Sequence, residues 1–449
     1  MGTHRFDVLS GAGVDDAGHV TISTRSRAGS LIRRFSPDGK TMLWQRYTAQ
    51  FMNRTVFGPA YDGTVVFGGH GGYNRFVLDY QRTDRLDTWV AITSDPFRFP
   101  HDYRWHRTDA VRFPNGKLYL VSDAMHQGTL ILRPEANSEI FIPSVFLSAM
   151  GRGTDYPPHR PIDPERPTHP YSRRVMWRDL NGDGHFQPEE YVVIEPPQNQ
   201  TSWFVDSKGN FWEFREEYKR QRQDPPGFLR YPLKGFDKYD NPIYDFPIRN
   251  AEHFSLPAPF AARTRYEGDL VVQRFYYDAE HDRMFIAGYP ADYAGPRGGA
   301  GAALARYDNF TDPQKRHLVS LIDLPIDPKR QYYHIQSVAM VGDLAFAGLG
   351  RAVAQEASVL VFNTRTGEYL GAMFPGAKLW GETNLLDIHW ALNAFARQNG
   401  EIIVTCENNW KNLQVVYRIP PQPLVPKTAP TGWKEKKPMQ LEAIDPGLR

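Results

Sequence analysis

The sequence predicts an all-β chain built from repeated four-stranded units, and three observations predict it. A tight polar turn between strand-like runs recurs seven times, and an Asx-Gly turn between alternating strands is the strongest short-range hairpin signal. An alternating third strand follows each turn, usually with a second turn and a fourth strand. The composition suits short strands and many turns, with 37 glycines, 36 prolines and 13% aromatic residues.

The turns and their flanks occupy residues 14–22, 61–67, 113–120, 205–212, 277–286, 341–346 and 397–404. Most carry Gly beside Asp or Asn, as in Asp62-Gly63, Asn115-Gly116 and Asn399-Gly400; the fifth carries His281-Asp282 instead. Third strands are expected at 31–35, 76–80, 130–133, 228–231, 303–307, 359–362 and 415–418. Fourth strands follow second turns, as after Pro37-Asp38-Gly39 and after Thr366-Gly367. Spacings run from 45 residues (Gly18 to Gly63) to 93 residues (Gly116 to Gly209). Four strands per unit at such spacing predict a closed, seven-bladed β-propeller over residues 1–419. Eight blades also fit, because the longest interval has room for another. The seventh unit runs from Ile419 into Pro420-Pro421 without a fourth strand. The strand-like run His4-Arg5-Phe6-Asp7-Val8-Leu9 is therefore expected to pair with the last blade, closing the ring and covering an edge.

Within the long interval lies Asp179-Leu180-Asn181-Gly182-Asp183-Gly184-His185-Phe186-Gln187-Pro188-Glu189-Glu190. It matches the calcium pattern D-x-[DN]-x-[DN]-G-x5-E at every specified position. Ca²⁺ takes about six to eight oxygen ligands. Asp179, Asn181, Asp183, the His185 carbonyl and Glu190 supply that chemistry, Gly184 permits the sharp turn, and Phe186 anchors the loop. The alternative is a metal-free Asn-Gly/Asp-Gly turn. The flanks Val175-Met176-Trp177 and Tyr191-Val192-Val193-Ile194 read as strands, and Pro188 sits badly in a continuous exiting helix. The expectation is a structural Ca²⁺ ion in a β-excursion at about 152–197, not a helical sensor. Residues 152–170 are proline-rich and read as a surface loop leading into it.

The twelve residues resemble the calcium loops of EF-hands and dockerins. In organisation, residues 4–419 resemble the NHL and YncE-like propellers of bacterial secreted proteins, several of which carry a D-x-N-G-D-G loop within a blade. The resemblance implies the propeller fold and no single activity. Repeated Trp-Asp blade ends and the Ala-x-Asp-x-x-Thr-Gly docking motif are both absent from the sequence.

Charge is nearly balanced, with 53 basic and 51 acidic residues and a net charge of +2. This argues against a nucleic-acid or membrane-surface footprint, and no apolar run is long enough to span a membrane. Cys406, the single cysteine, lies in Ile402-Ile403-Val404-Thr405-Cys406 and reads as a buried structural thiol. Met1-Gly2-Thr3-His4-Arg5 shows no apolar signal segment. Calcium loops of this kind are filled where free Ca²⁺ is plentiful, so the expected location is extracellular or periplasmic, without a signal peptide in this chain. Residues 420–449, punctuated by Pro421, Pro423, Pro426, Pro430 and Pro438 and carrying the run Lys434-Glu435-Lys436-Lys437, read as a tail or linker.

A propeller's functional mouth lies where the innermost strands begin. Counting back from the turns gives Asn53, Arg54, His106, Arg107, Asp109, Gln200, Ser202, Gln273, His334, Gln336, Asp387, His389 and Trp390. The reading preferred here is a secreted binding protein whose mouth takes a small molecule or glycan, with Tyr332, Tyr333, Trp380 and Trp390 able to stack on sugar rings. A second reading is an enzyme, a lyase or a metal-dependent one, using His106, His334 and His389 around the channel with Arg107 or Asp387 assisting. Those imidazoles would either hold a transition metal or transfer protons. A third is a structural module of a larger assembly, joined through the tail. No Gly-x-Ser-x-Gly elbow or phosphate-binding glycine loop is present.

Overall fold

The computed structural model describes residues 8–26, 29–49, 56–68, 72–82, 86–104, 108–124, 128–148, 157–161, 174–194, 200–215, 227–246, 248–260, 271–293, 299–324, 335–349, 359–374, 392–408, 413–421 and 423–424. Among them there is no α-helix, only strands and short 3₁₀ turns. The first sheet comprises Val8–Val14, Val20–Ser26, Gly29–Phe35 and Met42–Ala49 (β1 to β4); the second comprises Val56–Phe57, Val65–Gly68, Asn74–Leu78 and Asp87–Ile92 (β5 to β8). The third has six strands, Thr108–Arg112, Leu118–Asp123, Gly128–Pro134, Phe141–Ser148, Arg174–Arg178 and Tyr191–Ile194 (β9 to β14). The fourth begins with Gln200–Val205, Phe211–Arg215 and Gly227–Tyr231 (β15 to β17). After a small hairpin, Gly235–Phe236 and Pro242–Ile243 (β18, β19), it ends with Glu252–Ser255 (β20). The fifth comprises Val272–Asp278, Arg283–Gly288, Ala303–Asp308 and His317–Asp323 (β21 to β24). The sixth comprises Ile335–Val341, Leu344–Leu349, Val359–Asn363 and Tyr369–Met373 (β25 to β28). The seventh has three strands, Asn393–Ala396, Ile402–Asn408 and Leu413–Ile419 (β29 to β31). Each is an antiparallel meander in chain order, the topology of propeller blades.

The seven predicted turns join the first two strands of these seven sheets. Their chemistry is local. Asp15 Oδ1 accepts the N–H groups of Ala17 (3.0 Å) and His19 (2.9 Å). Asp206 Oδ1 does the same for Lys208 and Asn210, both at 2.9 Å. A side-chain oxygen thus satisfies amides that the five-residue reversal leaves without a strand partner. Glycine takes the left-handed position in six of the turns, and in the fifth Asp282 takes it at φ +50°, a conformation Asp tolerates better than most residues.

Six buried apolar clusters hold the sheets together, each shared by two neighbours. Val65, Phe67 and Leu130 join the second sheet to the third. Ile131, Val205 and Phe211 join the third to the fourth. Trp212, Phe228 and Phe275 join the fourth to the fifth, and Leu304, Ile322 and Ala347 join the fifth to the sixth. Phe346, Val361 and Tyr417 join the sixth to the seventh. The last cluster packs Phe57, Val66 and Phe76 of the second sheet against Ile403, Phe395 and Val416 of the seventh. Polar contacts reinforce that seam. Arg397 Nε donates to the Asp62 carbonyl (3.1 Å), the Gln398 amide to Asp62 Oδ1 (2.6 Å), and Arg418 Nη1 to the Tyr80 carbonyl (3.1 Å).

Among the described residues, the seventh sheet thus packs against the second. No described residue of β1 to β4 belongs to any of the six clusters, and Val8, Leu9, Val14, Leu43 and Trp44 are exposed. The expectation that the N-terminal run closes the last blade is corrected for its described part. Val8 and Leu9 pair with Arg25 and Thr24 of β2, and His4 to Asp7 lie outside the described residues. A hairpin through the Asp15 turn closes a short loop, whereas pairing with β31 would close one of about 400 residues. In the described part of the long interval, β13 and β14 extend the third sheet. The described part of the tail includes Leu424, packed against the cluster between the sixth and seventh sheets.

Candidate metal centre

The 179–190 loop connects β13 to β14, so its flanks are strands as the sequence predicted. Its own amides coil it. Asp179 Oδ1 accepts from the Gly182 amide (2.7 Å) and Oδ2 from the Gly184 amide (3.1 Å). Asn181 Oδ1 accepts from Asp183 N (3.0 Å), and Asp183 Oδ1 from His185 N (2.8 Å). Gly182 and Gly184 have φ of +86° and +73°. A Cβ at Gly182 would lie 2.4 Å from the Tyr239 ring. Glu190 ends a 3₁₀ turn, Pro188–Glu190, the only helical feature here. Its Oε1 accepts from the Leu180 amide (2.8 Å) and its Oε2 from Trp177 Nε1 (2.7 Å). Phe186 is buried against Trp177, ring centroids 4.2 Å apart, which is the anchoring role expected of it.

The loop is wedged between two sheets. Arg133 on β11 donates from Nη2 to Asp179 Oδ2 (2.7 Å) and to the Gly182 carbonyl (2.9 Å), and from Nε to Asn241 Oδ1 (3.0 Å). Asn241 belongs to the hairpin inserted in the fourth sheet, and its Nδ2 donates to the Asp179 carbonyl (2.5 Å). Lys117 and Tyr119 on the third sheet reach Asp240 of the same hairpin, at 2.6 and 2.7 Å. A second staple lies deeper. Arg174, buried, pairs with both carboxylate oxygens of Glu213 on β16, and the Tyr231 hydroxyl donates to Glu213 Oε1 (3.0 Å).

Burial raises the Asp179 carboxyl above its usual range, and hydrogen bonding and charge from Arg133 offset this only in part. Burial also raises Glu190, with the charges of Asp179 and Asp183 adding to it against hydrogen bonds from Leu180 and Trp177. Both carboxylates would gain from a nearby cation. The donor chemistry, all hard oxygen, fits Ca²⁺. The present partners are protein groups: Asp183 Oδ2 accepts from Asn181 Nδ2 (3.0 Å) and Gln187 Nε2 (2.8 Å). Among the described residues, no three His, Cys, Asp or Glu side chains converge as a ready-made metal site. An ion would have to take over acceptor oxygens now held by these donors.

Among the mouth candidates, Asp109, Gln200, Ser202, Gln273 and Gln336 lie on β9, β15, β21 and β25, the first strands of four successive sheets. His106, Arg107, His334, Asp387 and His389 lie outside the described residues, as do Asn53, Arg54, Tyr332, Tyr333, Trp380 and Trp390. Asp102 and Arg104, just before the candidate His106 in the sequence, form a buried pair. Arg104 also donates to the hydroxyl of Thr93 (2.7 Å) and the carbonyl of Phe141 (3.2 Å), so it ties the second sheet to the third. Cys406 is buried in β30.

No family model matches the chain. No curated protein matches it either. Among solved structures, one titled Structure of U3-55K is similar at a TM-score of 0.30 and 11% identity, covering 78% of this chain and 90% of that one. The β-propeller domain of the Trilobed protease from Pyrococcus furiosus, described as having an open velcro topology, gives a TM-score of 0.31 and 8% identity, covering 92% of this chain and 95% of that one. The propeller character of the chain lies in its meander sheets and in the buried clusters that neighbouring sheets share.

Proposed function

We propose that this chain is a calcium-stabilised β-propeller in which six blades, the second to seventh sheets, form the ring and the first sheet is an appendage. In this reading the 179–190 loop takes Ca²⁺ through Asp179, Asn181, Asp183, the His185 carbonyl and Glu190. The ion is structural, and the protein works where Ca²⁺ is abundant, outside the cell or in a periplasm. The observation that carries the reading is the position of Asp179. It is buried at the junction where Arg133 and Asn241 bind the third sheet to the fourth, so whatever binds the loop also acts on blade packing. Ligand recognition, of a carbohydrate or another small molecule, is assigned to the mouth where β9, β15, β21 and β25 begin. The described mouth candidates on these strands are Asp109 and four neutral hydrogen-bonding residues, Gln200, Ser202, Gln273 and Gln336, of the kind a hydroxyl-rich ligand uses.

Calcium should raise the melting temperature of the wild-type protein, and EDTA should reverse the gain. Asp183→Ala should abolish the calcium response while leaving a folded protein. A wild-type melting curve indifferent to both calcium and EDTA would end the calcium reading. Glycan-array screening of the folded protein tests the mouth independently, and absence of any glycan hit would count against the carbohydrate assignment.

A further inference from the structure

We propose that Arg133 is the resident cation of the 179–190 loop and sets its affinity for calcium, by holding the carboxylate that a metal would use first. The inference rests on the calcium reading above and deepens it.

Asp179 stands at position 1 of the motif, which contributes a carboxylate oxygen to the ion. Here that carboxylate accepts three hydrogen bonds, from Gly182 N on Oδ1 and from Gly184 N and Arg133 Nη2 on Oδ2. A carboxylate offers roughly four acceptor sites, so the remaining room is on Oδ1, beside the Gly182 amide. An ion seated there would share one carboxylate with a guanidinium. The guanidinium is held independently by the Gly182 carbonyl and by Asn241. Its own side chain is 9% exposed and that of Asp179 is 0% exposed, so water does little to screen the two cations from each other. Arginine stays charged at any working pH, so the competition is permanent.

Two consequences follow. Without metal, Arg133 neutralises the buried Asp179 and the loop stays folded. With metal, the loop behaves as one carrying one fewer negative charge, and ligand charge count is a main determinant of affinity in such loops. Binding in the wild type should therefore be weak, of the order of 10⁻⁴ to 10⁻³ M, the range of extracellular modules. A purely mechanical role for Arg133, holding loop to hairpin, predicts the reverse, because its loss would then disorder the metal ligands.

Calcium titration calorimetry on the full chain separates these, using wild type, Arg133→Gln, Arg133→Lys and, as a baseline, Asp183→Ala. The proposal expects Arg133→Gln to bind Ca²⁺ at least about tenfold more tightly than wild type. Its calcium-induced rise in melting temperature should also be the larger, because the ion then compensates an otherwise unpaired Asp179. Binding by Arg133→Gln alone, with none by wild type, would support the proposal in its strongest form. Equal or weaker binding by Arg133→Gln than by wild type would overturn it and leave the calcium reading standing. No binding above the Asp183→Ala baseline in any variant would overturn both. If Arg133→Gln does not fold, Arg133→Lys decides. Lysine keeps the charge but not the forked contacts, so an affinity within about threefold of wild type supports the charge argument. A larger loss would mean that the contacts matter and the charge does not.

Discussion

Replacing Glu213 with glutamine should be among the most damaging single changes in this protein. Glu213 and Arg174 have side chains 2% and 1% exposed, and they bridge β16 of the fourth sheet to β13 of the third. Arg174 Nε also donates to the Ser148 carbonyl (3.1 Å), and Tyr231 donates to Glu213. Glutamine keeps the shape and one acceptor, but it turns an NH₂ group towards a guanidinium that can only donate. The guanidinium is then left buried without a counter-charge, a change that costs about 3–5 kcal/mol. The Ser148 contact survives, so the lower end, about 3 kcal/mol, is expected. Urea unfolding followed by tryptophan fluorescence reads this directly, because Trp177 and Trp212 lie in the two sheets concerned. With an m value of about 3 kcal/mol/M, the midpoint should fall by about 1 M. Arg174→Met combined with Glu213→Leu should recover most of the loss, since removing both charges avoids the orphan. A loss below about 1 kcal/mol for Glu213→Gln, or a double variant no better than the single one, would refute the reasoning.

Other outcomes follow from the same geometry. Gly182→Ala should cost at least about 2 kcal/mol by thermal melting, because it puts a Cβ at φ +86° and into the Tyr239 ring. Burial alone would raise the Glu401 carboxyl, but hydrogen bonds and charge from Arg418 and Arg397 outweigh it and hold the carboxyl below its usual range. Its contribution is thus fully present above the ordinary glutamate value of about 4.3 and is lost as pH falls through the lower folded value. Melting temperatures from pH 3 to 7 should show this acid loss in wild type and a flatter profile in Glu401→Gln.

Much of the local structure could be read in the sequence. Each of the seven turns predicted from Asx and Gly placement joins the first two strands of a sheet, because its hydrogen bonds close within about five residues. Phe186 as an anchor and the strands flanking the loop were legible for the same reason. What escaped was which sheet meets which. Phe57 and Phe395 pack at 5.4 Å across the seam, yet nothing in either residue's neighbourhood names the other. The first hairpin looks like the rest because a turn signal records pairing within a sheet, not packing between sheets. Arg133 and Asn241 were missed on the same ground. Each sits at the end of an unremarkable strand or hairpin, 46 and 62 residues from Asp179. The arginine near the end of β11 did have a signal, since Arg230, Arg306 and Arg418 occupy similar places in other third strands and pair with Glu252, Asp308 and Glu401.

The seventh sheet packs on the second, and the six-bladed ring proposed above leaves the first sheet outside it. Removing residues 1–49 tests it most directly. The account predicts a folded protein with one cooperative transition and a melting temperature within about 3 °C of the full chain, because none of the six shared clusters loses a described member. Loss of cooperative unfolding, or a fall of more than about 10 °C, would contradict it and return the first sheet to the ring.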